Sequence, residues 1–307
     1  METLGFIGLG VMGLPMSKRV IESGYKIFVH DLDPKPVKVL EELGAHRAES
    51  PKEVGSRADL VISILPTPVI TREVVLGARG AIHGLRPGSL YIDMSTSKPT
   101  VTVEVFQALK ERGIEMLDAP VSGGMEGAKA GTLTIMVGGD KKTFERAKPI
   151  LTCMGKRVIH VGKIGSGNAI KLINNILFVI TMAATSEALA LGKKAGIDPV
   201  LLREVLNSSS ARSYALEVKV RDFVFPRNFE PGFTVDLQNK DIDLALEFAK
   251  ELGVPMLLGA LVKQIYQALH LKGLGKKDTS IVVTFFEELM DSGEIQGNRD
   301  DLSGISL

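Results

Sequence analysis

This 307-residue chain has one cysteine, no tryptophan and almost no net charge. The one cysteine, Cys153, excludes an internal disulfide and argues against a cysteine-based metal site, so we expect no metal. The absence of tryptophan and an aromatic content of 5% argue against surfaces that stack nucleic-acid bases. A net charge of +1 offers no attraction to nucleic acid or to an anionic membrane. We therefore expect neither of these as a partner.

A secretory signal is also missing, because the first residues enter a strand-like run without a basic segment and a long apolar stretch. The stretch from Asn168 to Gly192 is long enough to cross a bilayer, but Lys171, Asn175 and Glu187 interrupt it. We interpret it as a core helix that joins two domains. The protein is accordingly expected to be cytoplasmic, without a membrane partner.

The first half of the chain alternates short β-rich runs with helical patterns such as Val11–Ser23 and Pro99–Arg112. This alternation predicts βαβ units on a largely parallel sheet. The expected strands are Leu4–Gly8, Lys26–Asp31, Leu60–Ile64, Leu90–Asp93, Glu115–Ala119, Leu133–Val137 and Val158–Val161.

After Gly162 the patterns are helical throughout, which predicts an all-α second half. The fold class is α/β: a Rossmann-type dinucleotide-binding domain, then an all-α C-terminal domain, joined by a long interdomain helix. The expected boundaries are 1–163 for the first domain, 164–292 for the second and 293–307 for a polar, loosely held tail. The expected later helices are Asp198–Asn207, Leu216–Asp222, Leu237–Leu252, Met256–Leu269 and Thr279–Met290.

A glycine-rich run follows the first strand and opens a helix, which is the context that a dinucleotide-binding fingerprint requires. Its glycines provide a tight turn, a close approach of backbone to pyrophosphate, and close packing of helix on strand. The run consists of Gly8, Leu9, Gly10, Val11, Met12 and Gly13. A glycine turn that serves only packing is the structural alternative.

Asp31 ends the second strand, eighteen residues after Gly13, where an acidic residue accepts from the adenine ribose. A 2′-phosphate would meet this carboxylate with like charge, so NAD is favoured as the cofactor. Lys35, four residues on, keeps NADP open.

Three further loops follow strands, at the sheet edge where α/β proteins bind ligands. Leu65 and Pro66 lie in one loop, and Thr96 lies in a hydroxyl-rich one. The third, Ser122 to Gly124, offers a hydroxyl and exposed amides that suit a carboxylate. The first two are equally readable as ordinary turns with a helix cap, and the third as a flexible loop.

Lys171 stands near the start of the apolar helix, with Asn168 and Asn175 on the same face three residues before and four after. Burying an unpaired ammonium is costly, so such a lysine is paired, exposed, or retained for chemistry. Desolvation lowers the pKa of a lysine toward neutrality, which suits a group that gives and takes protons. The structural alternative is a side chain that reaches solvent from the first turn.

Four segments resemble, in order, those of the β-hydroxyacid dehydrogenases, and the resemblance extends to about Met290. They read FIGLGVMGLPMSKRV, DAPVSGG, GSGNAIKLINN and DLQNKD. The resemblance implies a catalytic role for Lys171 with Asn175 beside it, and substrate binding by Ser122, Gly123 and Gly124. It further implies cofactor contacts by Leu65, Pro66, Thr96 and Lys240. An i,i+4 pair of Lys240 with Asp236 is the structural alternative.

The reaction implied is a reversible, NAD(P)-dependent oxidation of a small 3-hydroxy acid by a homodimer or homotetramer, with Lys171 as general acid and base. Relatives that act on 6-phosphogluconate place a histidine where Asn174 stands, which argues against a phosphosugar. Arg212 either binds a second substrate carboxylate or is a surface residue. Alternatives are a succinic semialdehyde or glyoxylate reductase, a catalytically silent dinucleotide-dependent interaction protein, and an imine reductase, which usually lacks the lysine.

Overall fold

The computed structural model describes residues 2–230 and 232–297. The chain divides into two compact units, of which the first ends at Leu172 and the second begins at Ile173. The first unit contains a sheet flanked by helices, and the second is helical. The predicted Rossmann-type domain followed by a helical domain is confirmed.

Nine strands in the described part of the first unit form one sheet, in the order β3-β2-β1-β4-β5-β6-β8-β7 with β9 beside β8. Pairing is parallel except where β8 runs antiparallel to β6 and β7. The strands are β1 Leu4–Ile7, β2 Ile27–His30, β3 His46–Arg47, β4 Leu60–Ser63, β5 Leu90–Asp93, β6 Glu115–Asp118, β7 Val121–Ser122, β8 Thr134–Gly139 and β9 Arg157–Gly162. The sequence patterns predicted seven of these and missed the two-residue strands β3 and β7, which are too short to show a period.

Helices cover both faces of this sheet, which explains why its central strands are continuously apolar. On β1, Leu4 and Phe6 enter one hydrophobic cluster while Ile7 enters the other, as the two-residue period of a strand requires. The helices are α1 Gly13–Glu22, α2 Pro34–Glu41, α3 Pro51–Arg57, α4 Pro68–Leu76, α5 Pro99–Lys110, α6 Gly124–Ala130 and α7 Lys141–Met154.

The winding direction of the sheet reverses between β1 and β4, and ligands of open α/β sheets bind outside such a switch point. At this point the turn after β1 and the turn after β4 are in contact, since a Cβ added to Gly8 would lie 2.3 Å from the carbonyl oxygen of Ile64. The fold therefore places the glycine-rich run at the expected ligand edge.

Helix α8, Ser166–Lys194, begins in the first unit and continues into the second. It is the one helix in the described residues that is long and apolar enough to cross a membrane. Of its most apolar stretch, 56% is buried within the protein, as in the core helix of a globular fold.

The second unit consists of helices and short helical turns. They are α9 Pro199–Ser208, a π-helical segment Ala215–Val224, α10 Val235–Glu251, α11 Leu257–Leu269, a second π-helical segment His270–Leu274, a 3₁₀ turn Thr279–Ile281 and α12 Val282–Met290. The helix predicted at 279–290 is thus two elements. Its start, Thr279–Ile281, is a 3₁₀ turn, and the carboxylate of Asp278 accepts from the amide of Ser280 there.

Residues 293–297, at the start of the predicted tail, lie against the second unit. Ile295 is fully buried and its amide donates to Glu287 at 2.5 Å, while the amide of Gly297 donates to the carbonyl of Phe225. The rest of the predicted tail, 298–307, lies outside the described residues.

Candidate active site

The three glycines of the fingerprint have separate physical reasons. Gly8 adopts φ +89°, which only glycine adopts without strain. A Cβ on Gly13 would lie 1.9 Å from the carbonyl oxygen of Gly8, so only glycine lets α1 pack this closely. A Cβ on Gly10 would meet nothing within 4 Å. Gly10 therefore leaves open space beside the N-terminus of α1, where a pyrophosphate binds in this motif.

The carboxylate of Asp31 is fixed against the glycine-rich turn. Its Oδ2 accepts from the amide of Leu9 at 2.6 Å, and its Oδ1 accepts from the amide of Asp33 at 2.8 Å. These bonds hold the carboxylate at the end of β2, where it can accept a hydrogen bond from a ribose hydroxyl. The same carboxylate would repel a 2′-phosphate, which carries like charge. Together with the space at Gly10, the residues present fit a bound dinucleotide.

A chain of buried hydrogen bonds fixes the loops that contain Leu65 and Thr96. The side chain of Ser63 and the amide of Ser95 both donate to Asp93 Oδ1, at 3.2 and 3.0 Å. The hydroxyl of Ser95 in turn accepts from the amide of Leu65 at 2.8 Å. Burial raises the pKa of Asp93 to about 6, and the neighbouring Asp118 adds to this effect. These buried bonds therefore join the two predicted loops to each other and to the end of β5.

Ser122 lies on the short strand β7 rather than in a continuous loop, because it pairs with Thr134 of β8. Gly123 and Gly124 follow it with φ +132° and +62° and are exposed. The backbone therefore turns sharply here, and a side chain at Gly124 would meet nothing within 4 Å. Ser122 and these glycines stand one short turn beyond the end of β6.

Lys171 is half-buried on the second turn of α8. One turn earlier, Asn168 is fully buried, its Oδ1 accepting from the amide of Ser97 at 2.8 Å and its Nδ2 donating to Thr102 at 3.1 Å. The helix segment that carries Lys171 is thus bonded to the loop that contains Thr96.

In the second unit, Asp241 joins two of the predicted residues. Its Oδ2 accepts from Asn175 Nδ2 at 2.5 Å, and the ammonium of Lys240 lies 3.0 Å from its Oδ1. Asn174 Nδ2 also donates to Asn175 Oδ1 at 3.0 Å. The carboxylate of Asp236, which was the alternative partner of Lys240, lies 2.6 Å from the ring of His270 instead.

Arg212 lies in the turn after α9, with its side chain 72% exposed. Its Nε donates to Glu217. The exposed fraction places this side chain at the surface. The bond to Glu217 is made through Nε, whereas a bidentate carboxylate site on arginine also uses the guanidinium Nη groups.

The sequence patterns assigned no role to three buried carboxylates, Asp93 and Asp118 in the first unit and Asp241 in the second. Asp93 and Asp118 are the last residues of β5 and β6 and lie side by side in the sheet register. The available signal for these two was a carboxylate at the end of an otherwise apolar strand. Buried carboxylates are almost always paired, so such a residue indicates a structural partner nearby. Asp241 stood within the segment DLQNKD, yet nothing in its spacing identified its bond to Asn175.

Two family models match the chain in succession. Residues 3–162 match the NAD binding domain of 6-phosphogluconate dehydrogenase. Residues 165–286 match the NAD-binding region of NADP-dependent 3-hydroxyisobutyrate dehydrogenase.

Curated proteins and solved structures of known activity are similar over nearly the whole chain. 2-(Hydroxymethyl)glutarate dehydrogenase of Eubacterium barkeri is 40% identical over 93% of this chain and 95% of its own length. NAD-dependent L-serine dehydrogenase of Pseudomonas aeruginosa is 38% identical over 94% of this chain and 98% of its own. The structure of Mycobacterium tuberculosis 3-hydroxyisobutyrate dehydrogenase with L-serine has a TM-score of 0.87 at 33% identity, covering 93% of this chain and 99% of that one.

The fold, the dinucleotide fingerprint and these similarities define an NAD(P)-dependent oxidoreductase. The chain belongs to the β-hydroxyacid dehydrogenase family, as its four segments indicated.

The different surroundings of Gly10 and Gly13 lead to opposite expectations for the same substitution. Gly10→Ala should leave the free energy of unfolding within about 1 kcal/mol of the wild type, because no atom is displaced. It should weaken NADH binding at least tenfold, about 1.4 kcal/mol, by filling the space beside α1. Gly13→Ala should instead destabilise the fold through its clash with Gly8.

Chemical denaturation and NADH fluorescence titration measure the two effects separately. Unchanged NADH affinity in a folded Gly10→Ala protein would show that the pyrophosphate does not approach Gly10.

Proposed function

We propose that this protein oxidises a small 3-hydroxy acid to the corresponding semialdehyde or oxo acid with NAD, reversibly. Lys171 lies near the start of α8, and the first turn of this helix is hydrogen-bonded to the loop that contains Thr96, at the edge where the cofactor would bind. This placement is the observation that carries the proposal. This arrangement supports a proton-transferring group beside a hydride acceptor.

The cofactor would be held by the first unit. Gly8 to Gly13 would receive the pyrophosphate, Asp31 the adenine ribose, and Leu65, Pro66 and Thr96 the remainder toward the nicotinamide. Lys240 is a further cofactor contact that the family resemblance implies. When bound, NAD accepts the hydride. The carboxylate of Asp31 favours NAD, and NADP remains the alternative cofactor.

Lys171 acts as the general base in this proposal. Its neutral amine takes the proton of the substrate hydroxyl during oxidation, and its ammonium returns that proton during reduction. Asn175, four residues on along the same helix face, orients the hydroxyl. The bond from Asn175 to Asp241 fixes the amide in one orientation, since Nδ2 is used as the donor there.

The substrate carboxylate would bind to the hydroxyl of Ser122 and the amides of Gly123 and Gly124. The similar proteins act, by name, on 2-(hydroxymethyl)glutarate, 3-hydroxyisobutyrate and L-serine. Each of these acids carries a hydroxyl on the carbon beta to a carboxylate. This shared chemistry defines the substrate class that we propose. We also propose that the protein is cytoplasmic.

Replacing Lys171 tests the reaction most directly. Lys171→Ala should lower turnover about 100-fold or more, the contribution of general base catalysis, while NADH still binds. The measurement is NADH or NADPH formation over a panel of 3-hydroxy acids, with NAD and NADP in parallel and NADH titration as control.

Near-normal turnover by Lys171→Ala would refute the assigned role. NADH binding without turnover of any acid by the wild type would instead favour the dinucleotide-dependent interaction protein.

Arg212 is proposed to recognise a second carboxylate in dicarboxylate substrates. Arg212→Ala should raise KM for a dicarboxylate such as 2-(hydroxymethyl)glutarate about tenfold or more, and leave KM for L-serine unchanged, because only the former has the second charge. Arg221→Ala removes a comparable surface ion pair, with Asp222, and serves as the control. Equal effects on both substrates would rule out this role.

A second copy of the chain is the partner that we propose for the exposed face of α8. Ile173, Leu177 and Leu191 are 58%, 62% and 66% exposed, and the exposed Ala184 and Ala188 lie between them. Their spacing of three, four and seven residues forms one stripe, as in packed helix pairs. An apolar stripe of small and aliphatic residues is self-complementary, which a two-fold symmetric contact requires.

Leu177→Asp should therefore shift the protein toward the monomer, because it places a charge in the centre of this stripe. Light scattering at several protein concentrations measures the mass. Val69→Asp changes a residue that is 78% exposed on α4 and should leave the mass unaltered. A wild type that is monomeric at every concentration would contradict the proposal.

A further inference from the structure

The start of α8 is anchored by a carboxylate from another part of the chain. The side chain of Asp118, at the end of β6, is fully buried, with Oδ1 accepting from the amide of Gly165 at 2.7 Å and Oδ2 from the amide of Asn168 at 2.8 Å. Gly165 directly precedes the helix and Asn168 lies in its first turn, where backbone amides have no partner within the helix. The carboxylate of Asp118, from the end of a strand, therefore caps the N-terminus of α8.

Glycines make this approach of helix to sheet sterically feasible. A Cβ on Gly167 would lie 2.4 Å from the carbonyl oxygen of Met136, and a Cβ on Gly138 would lie 2.4 Å from Asp118 Oδ1. Neither position leaves room for a side chain. The first turn of α8 is consequently held at one height above β6 and β8.

Asn168 bonds the same turn to a second part of the chain, the segment from Ser97 to Thr102. Its side chain spans from the helix to the amide of Ser97 and to Thr102 on α5. Both bonds are buried, so loss of the side chain would remove the protein partner of the Ser97 amide in a place shielded from solvent. The hydroxyl of Thr102 also donates to the carbonyl of Lys98 at 3.2 Å, which orients it for Asn168.

We propose that Asn168 is a positioning residue that holds the Lys171 amine in register with the cofactor-edge loop of Thr96. This inference rests on the proposed catalytic role of Lys171. Lys171 follows Asn168 by three residues and about 4.5 Å of helix rise. Successive turns on one helix face therefore carry the two side chains, and a small rotation at Asn168 displaces the amine. Displacements on the order of 1 Å at a reacting group cost about 100-fold in rate.

A double-mutant cycle tests this positioning role. Turnover is measured for the wild type, Asn168→Ala, Lys171→Ala and the double variant, with NAD and an acid that the wild type oxidises. Asn168→Ala should lower kcat roughly 30-fold in the wild-type background, but less than about threefold once the amine is gone. NADH affinity should stay within about threefold of the wild type, since the fingerprint and Asp31 are untouched.

The control is Ser50→Ala, which removes a helix cap in the same unit, on α3. It should lower the melting temperature without changing kcat, as any purely structural loss would at temperatures well below unfolding.

Each contrary result has its own meaning. Equal falls in kcat with and without Lys171 would overturn the positioning role, and so would a loss of NADH affinity as large as the loss of kcat. Near-normal turnover by Lys171→Ala alone would instead overturn the proposed function.

Thr102→Val provides a second route if Asn168→Ala does not fold, because it removes one of the two bonds and keeps the side-chain shape. Its smaller fall in kcat, roughly threefold, should also vanish in the Lys171→Ala background. A fall that persists there would refute the inference.

Discussion

The buried carboxylate of Asp118 is the constraint on which the candidate site depends in the first unit. It lies at the end of a sheet strand, yet its partners are the first amides of the long helix that carries Lys171. Burial raises the pKa of Asp118, and the helix amides oppose this by stabilising the charged form. Together with the bonds of Asn168, this carboxylate gives the helix directional contacts near Lys171 in addition to its apolar packing.

A second consequence is that binding and structural roles are divided among neighbouring residues of one type. Gly8 and Gly13 serve the backbone and the packing, whereas Gly10 leaves the space for a ligand. Among the carboxylates, Asp31 is the acceptor that we propose for the ribose, while Asp93 and Asp118 accept from backbone amides of loops and helix at the sheet edge. In the second unit, Asp241 has a structural role, because it accepts from Asn175 and pairs with its chain neighbour Lys240.

The limits of prediction from sequence are visible at particular elements. Strands β1, β4 and β5 follow directly from their apolar runs, and the helices from their periods and caps. The short strand β7 and the 3₁₀ start at Thr279 were not predictable, since two or three residues carry no period. Asn168 shows the same limit at the site: its spacing from Lys171 placed it on the right face, but not with Ser97 and Thr102 as partners.

The sequence by itself determined the class of fold, the dinucleotide fingerprint and the family, because these reside in local periods and in motifs of a few adjacent residues. Only the tertiary structure decided how Lys171 is held. The bonds of Asp118 to Gly165 and Asn168, and of Asn168 to Ser97, join positions 47 to 71 residues apart. Such bonds depend on the close approach of sheet and helix, and no local pattern encodes which distant partners meet there.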